Sequence, residues 1–390
     1  EHTMTPTFWA AADPLAAART LAAEVRAAAD ETEAQRHIPS ALVERLRDAG
    51  LFYMTLPKDI GGIECDPVTA SRVIEEMAAA DGSTGWVLML ANQSTFFAGF
   101  LPPAQARLFW GEGAINCVVA RPIGRAVPVE GGGYTVSGRW PFASGSSHAD
   151  WFMGECLVYA GGATEPLKDD DGNPVVKSVL MPRADVTVLD TWHTTGLRGT
   201  ASNDFTVEGV YVPDERVLQP GAPAHDWVGF RAMPLFVMNH GSHDLGLARA
   251  GLEAALEVVG SKRGWGGVPL KETGRMQQVI AEATAIVGAA SAYLYATGEG
   301  VWQAIVAGEQ PDARARARVR LAAAHAANES IRAVDLLHRA LATSAVQQSS
   351  PLDRIFRDIH TAVAHVMIGP LVYEAAGRAE LGVPVDFPFF

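Results

Sequence analysis

A chain of 390 residues, 48% hydrophobic and 19% charged, is globular in composition and too long for one ordinary core, so two or three structural units are expected. A formal charge of −13 with no lysine or arginine cluster argues against nucleic acid as a partner, because a phosphate-backbone binder needs a concentrated basic surface. Three scattered cysteines suggest neither a disulfide framework nor a metal site, and no apolar run approaches the roughly 18 residues of a membrane helix, so a cytoplasmic protein without a membrane partner is expected.

The opening Glu-His-Thr ahead of Met4 reads as a remnant of expression. From Pro14 to about Phe109 the pattern is helical. "PLAAARTLAAEVRAAADETEAQRHI" carries Leu15, Leu21 and Val25 at helical spacing. Ser40 opens "SALVERLRDAGL", with Leu42, Val43 and Leu46 on one face and a stop at Gly50. After "PKDIGGIECDP" a third helix runs through "VTASRVIEEMAAADG". A fourth, "STGWVLMLANQSTFFAGFL", is apolar nearly all round, as a buried helix is.

From Asn116 to about Pro213 the texture changes. "YTVSGRWPF", "WFMGECLVY", "VKSVLMP", "VTVLD" and "FTVEGVYVP" alternate β-branched or aromatic residues with polar ones between glycine-rich turns, which predicts an antiparallel barrel or sandwich. From Val228 the helical period returns in four long stretches, the last being "PLDRIFRDIHTAVAHVMIGPLVYEAAG". Long helices joined by short loops predict an antiparallel bundle.

Within the β region, "GRWPFASGSSHADW" (138–151) crowds Ser144, Ser146, Ser147 and His148 between two tryptophans. Such residues cap an ordinary turn or wall a site, and spacing alone leaves both open. "MNHGSHDLGLARAG" (238–251) gathers His240, His243 and Asp244 at a helix start, where Asn239 or Ser242 suits a cap. No second ligand cluster supports a metal there.

The three-part order, with "TGLRGTASNDFTVEGVYVP" closing the β region and "SKRGWGGVPLKETGRMQQVIAE" following, resembles the acyl-CoA dehydrogenase fold from about Pro39 to Gly382. "GGYTVSGRWPFASGSSHADW" and "RIFRDIHTAVAH" are more similar to the oxygenase components of two-component flavin monooxygenases, which include aromatic hydroxylases and amino-sugar N-oxygenases. The resemblance implies an α+β, mainly α chain: an N-terminal helical domain (5–115), a central antiparallel β-barrel or sandwich (116–226) and a C-terminal four-helix bundle (227–390). It implies reduced FAD or FMN delivered by a separate flavin reductase, dioxygen as co-substrate, and a homotetramer or dimer. Oxygen would add at flavin C4a, and the peroxide would oxygenate an electron-rich small molecule, aromatic or indole-like, at carbon or nitrogen.

By the same resemblance Ser144 is the hydroxyl at flavin N5, where a hydrogen bond governs the adduct's lifetime, and Phe142 covers the ring. Thr200 and Ser202 approach the flavin, Ala120 lies on the strand at its pyrimidine edge, and Arg263 holds a phosphate. Trp265 and a glycine stand after Arg263 in place of the usual aromatic–glycine pair. His365 faces the peroxide or substrate, with His360 left to a structural role and His148 open. Trp86, Ser94, His240 and Asp244 line the substrate pocket.

Three departures bear on this reading. Ala120-Arg121-Pro122 replaces the dehydrogenases' Thr-Glu-Pro. No carboxylate follows Arg357-Asp358 where a dehydrogenase carries its α-proton base. The "GWVLMLANQSTFFAG" helix lacks the histidine that helps phenol-hydroxylating relatives ionise their substrate, leaving Asn92, Gln93 or Ser94 to supply polarity. An acyl-CoA dehydrogenase with a relocated base, and a binding subunit without flavin, stay open as alternatives. No glycine-rich dinucleotide fingerprint follows a strand, which fits a protein receiving its hydride second-hand.

Overall fold

The structure is a computed structural model that describes residues 13–218, 227–264 and 266–385. Met4, Trp265 and the expected border at residue 226 lie outside the described residues. Helix α1 (Pro14–Ala27) starts where Asp13 accepts the amides of Leu15 and Ala16 at 3.0 Å, with proline in the first turn. The first helical stretch breaks at Ala28, and α2 (Ala29–Gln35) resumes after it. Then follow α3 (Ser40–Asp48), α4 (Pro67–Ala80) and α5 (Gly82–Phe97), the last two capped by Asp66 and Asp81. Helix α5 is buried on nearly every side, as its missing polar face requires. A further short helix, α6 (Pro103–Trp110), follows the Pro102-Pro103 pair.

Seven strands lie among the described residues: β1 (Asn116–Pro128), β2 (Tyr134–Ala143), β3 (Trp151–Val158), β4 (Val176–Pro182), β5 (Thr187–Leu189), β6 (Asn203–Val212) and β7 (Val217–Leu218). They form one sheet, ordered β5-β6-β2-β1-β3-β4-β7. The antiparallel barrel or sandwich is corrected on both counts: the sheet is open, and β1 runs parallel to β3 with Asn116 beside Trp151. Strand β2 is antiparallel to β1 and ends at β1's start. The chain then steps around that start and enters β3 on the far side. Residues 144–150 are therefore not a hairpin but a crossover, tied to β1 where Ile115 donates to the Asp150 carboxylate at 2.9 Å.

Trp140 is the sheet's core, fully buried and stacked on Phe205 at 4.9 Å. Gly124, Gly138 and Gly154 make its room, since a Cβ on any of them would fall 2.2–2.6 Å from the indole.

The C-terminal part holds α7 (Met238–Ser261), α8 (Gly274–Val306), α9 (Ala313–Leu341), α10 (Pro351–Ala362) and α11 (Leu371–Glu380). The first three pack on one another, α10 packs on α7 and α9, and α11 packs on α9. Gly246 brings α7 against α4, where a Cβ would meet Glu75 O at 2.3 Å. The last long helical stretch is corrected to two helices. His365 lies between them with extended backbone and caps a short 3-10 turn, Val366–Ile368, and Gly369-Pro370 follows. Helix α8 is long and apolar enough, at mean hydropathy 1.4, to cross a membrane by length and composition alone, a property its scattered Gly, Thr and Glu conceal in the sequence.

Candidate functional site

The crossover after β2 and the loop before β6 make one wall. Phe142 turns with φ +64°, a left-handed backbone rare for an aromatic residue, and presents a ring 65% exposed, edge-on to Trp192. Next comes Ser144, followed by Gly145 (φ +80°), whose amide donates to Thr200 O at 2.8 Å. Ser146 is spent on structure, donating to Ala201 O at 2.6 Å.

This pairing lays three hydroxyls in a row. Ser144 Oγ lies 2.7 Å from Ser202 Oγ, which lies 2.6 Å from Thr200 Oγ1, which donates to Leu197 O at 2.9 Å. Leu197 and Ala201 both hold positive φ, +49° and +46°. The row exists because two loops far apart in sequence are stitched by backbone bonds.

The opposite wall is helical. Trp86 of α5 donates from Nε1 to Ser144 Oγ at 3.3 Å, which joins the two walls. Three imidazoles stand edge-on around its indole: His243 at 5.2 Å, His365 at 5.6 Å and His240 at 5.7 Å. His240 and His365 stack on each other at 4.5 Å. Helix α5 carries no histidine of its own, and α7 and the break after α10 supply them instead.

The protons on these rings follow from their partners. Met367 N donates to His365 Nδ1 at 3.3 Å, so the neutral ring carries its hydrogen on Nε2. Burial lowers the pKa of His365, so it is neutral at pH 7. His240 is 1% exposed, and burial first, then His365, His243 and Arg320, push its pKa well down. With the Gln93 amide donating to His240 Nε2 (3.4 Å), Nδ1 keeps the hydrogen, and that atom has no protein partner. His243 donates from Nε2 to Gly82 O at 2.9 Å, so its Nδ1 and the Asp244 carboxyl, 3.0 Å apart, share one proton. Burial raises the Asp244 pKa, which His243 opposes.

Other expected site residues lie elsewhere. Asp244 meets His243 of the helical wall through Oδ1, and its buried Oδ2 has no protein partner. Ser94 is buried with an unpartnered hydroxyl, and its neighbour Gln93 reaches His240 instead. Ala120 is exposed on β1, beside the register shift at Pro122. Arg263 lies beyond the far end of α7, about 30 Å along the helix from His240, and donates to Gly267 O at 2.6 Å. His360 pairs with Asp335 at the surface. His148 packs edge-on to His37, and burial first, then His37, Arg47 and Arg183, lower its pKa to about 4.

Some contributors had no local signal. Leu197 acts through its carbonyl, and no side-chain pattern marks that. Asp358 did leave one: it interrupts the buried stripe Leu352, Ile355, Ile359, Ala362, where an acid is costly without a partner.

The cluster fits a flavin on its own chemistry. An exposed ring on a strained backbone is ready to cover a flat heterocycle, and the hydroxyl row can meet the donors and acceptors of its edge. Asn116, 7% exposed at the start of β1, has a side-chain amide with neither atom partnered, a second polar group awaiting a ligand.

Comparison with known proteins agrees. Residues 15–101 match the acyl-CoA dehydrogenase N-terminal domain and residues 238–370 the acyl-CoA dehydrogenase C-terminal domain. The chain is 30% identical over 387 residues to the flavin-dependent monooxygenase oxygenase subunit HsaA of Mycobacterium tuberculosis, covering 95% of each chain. It is 28% identical over 363 residues to indole-3-acetate monooxygenase of Pseudomonas putida, covering 92% of this chain and 90% of that protein. The structure of XiaF from Streptomyces sp. in complex with FADH2 and glycerol superposes with a TM-score of 0.87 at 25% identity, covering 97% of each chain.

Proposed function

As a chain that belongs to the oxygenase components of the flavin-dependent monooxygenases, on an acyl-CoA dehydrogenase fold, this protein is a flavin-dependent monooxygenase, and we propose that it oxygenates an electron-rich aromatic ring held against the His240–His365 stack. When bound, reduced flavin supplies the two electrons that let dioxygen give one atom to substrate and the other to water. Ser144, Ser202 and Thr200 would hold the flavin edge at N5, Phe142 would cover its ring, and Asn116 would meet a polar group from β1. A separate flavin reductase would deliver the flavin, as the designation of HsaA as an oxygenase subunit suggests.

The observation that carries the substrate reading is the pair of stacked, neutral imidazoles against Trp86, whose indole N–H reaches Ser144. His365 offers Nε2–H and His240 offers Nδ1–H, both donors. Two N–H groups suit a substrate oxygen, such as a phenol, whose electron density they steady while the ring reacts. They also replace, from other elements, the histidine that α5 lacks. Indole-3-acetate monooxygenase, by its name, acts on an indole ring, a second electron-rich class.

The test is a single-turnover reaction with chemically reduced FAD or FMN and 18O2 over a panel of phenols and indoles. One 18O atom in a ring product supports the reading. Flavin oxidation that never yields labelled product from any aromatic, or bleaching of oxidised flavin by an acyl-CoA, would overturn it.

A further inference from the structure

The hydroxyl row does not end at Leu197. Helix α10 grips the backbone on both sides of Gly196: Arg357 Nη1 donates to Thr195 O at 2.7 Å, and Asp358 Oδ1 accepts the Leu197 amide at 2.6 Å. Gly196 fits so tightly between them that a Cβ there would lie 1.9 Å from Arg357 O. The grip falls on a residue with φ +49°, whose carbonyl receives both the amide and the hydroxyl of Thr200. A short path thus joins a carboxylate of the bundle to Ser144: Asp358, Leu197, Thr200, Ser202, Ser144.

Asp358 is buried at 3% and costly to keep there. It faces charged groups from every side. Asp81 caps α5 beside it, Arg354 lies on its own helix, Glu33 reaches in from α2, and His243 of α7 holds the neighbouring Gly82 carbonyl. Leucine would fill an apolar stripe more cheaply, so the carboxylate has a task there.

We propose that Asp358 is a positioning residue of the monooxygenase. By holding the Leu197 amide it fixes the strained loop on which Thr200 and Ser202 stand, and so sets the Ser144 hydroxyl. The proposal rests on the assignment of Ser144 to the flavin edge.

The test uses the full chain with Asp358→Ala and Asp358→Asn, the second keeping the acceptor oxygen without the charge. Two readouts are taken: hydrogen exchange of amides 196–202, and labelled product per flavin oxidised at saturating flavin. Loss of the buried bond to the Leu197 amide predicts about tenfold faster exchange in that loop for Asp358→Ala, with α8 unchanged, a parallel fall in product yield, and recovery of most of both in Asp358→Asn. Unchanged loop exchange, or faster exchange throughout the chain with no rescue by asparagine, would overturn the proposal. Ser144→Ala runs alongside: if it leaves the yield intact, the Ser144 assignment fails, whereas the loop exchange still judges Asp358.

Discussion

The two walls of the site are made by opposite means. The sheet-side wall is backbone work: its hydroxyls lie in one short row because two loops are laced together through Gly145, Thr200, Ser146 and Ala201, with left-handed residues at the corners. The helix-side wall is side-chain work: imidazoles 125 residues apart in sequence, His240 and His365, stack because α7 and the break after α10 both face α5. The first kind of wall is rigid and particular about its geometry. The second exchanges side chains without moving backbone. On the proposed function, this division would give oxygen chemistry to the sheet side and substrate choice to the helices.

Ser144→Ala should break the sheet-side wall hardest. Product per flavin oxidised falls about a hundredfold, the scale of a lost preorganised hydrogen bond, whichever aromatic is offered. A loss that varied with substrate would erase the distinction between the walls. His365→Ala comes next: about tenfold slower product formation, with flavin affinity unchanged by titration and the order of preferred aromatics altered.

Stability against pH sharpens the comparison, because His240 of the helix-side wall and Asp358, which holds the sheet-side loop, slope in opposite directions. His240 is held neutral, so the unfolded chain binds the extra proton, and stability is lost as pH falls below the unfolded value near 6.5. Asp358 is pushed up to about 7 by burial first and then Asp81, so between about 4 and 7 the folded state keeps a proton that the unfolded chain releases. That group's contribution declines as pH rises through this range. His240→Gln should flatten the acid limb of a denaturation series and Asp358→Asn the opposing slope. Parallel shifts in both variants would contradict these assignments.

The smallest effect is expected at the link. Trp86→Phe removes the Nε1–H to Ser144, worth about 1 kcal/mol, and keeps an aromatic ring, smaller than the indole, for the imidazoles to surround. A several-fold drop in yield with unchanged substrate preference would show the walls acting separately.

Much of this was legible in the sequence, and the limits have physical causes. Helix starts near Pro14, Val68 and Ser83 follow from the apolar period, within a residue of those the structure shows, and the strand segments follow from their alternation, because both signals are local. Strand order is not local: β2 and β3 read as neighbours, and β1 lies between them. A helical period read through Gly369-Pro370, a breaker in plain view, puts His365 on a helix it does not occupy. The turn at 142–148 announced its polar residues but not which mattered. Burial and bonding separate Ser144, which faces Trp86 and Ser202, from Ser146, which is used by Ala201 O. Sequence showed a helix without a histidine, and three-dimensional packing brings imidazoles from two other elements against its Trp86.

Ala201 holds φ +46° with a methyl group that glycine would not need. Relieving that conformation is worth roughly 1 kcal/mol, so Ala201→Gly offers this enzyme heat resistance at almost no chemical distance. It would also loosen the corner between Thr200 and Ser202. Ala201→Gly should therefore raise the melting temperature while lowering labelled product per flavin oxidised, a trade between stability and activity at one methyl group.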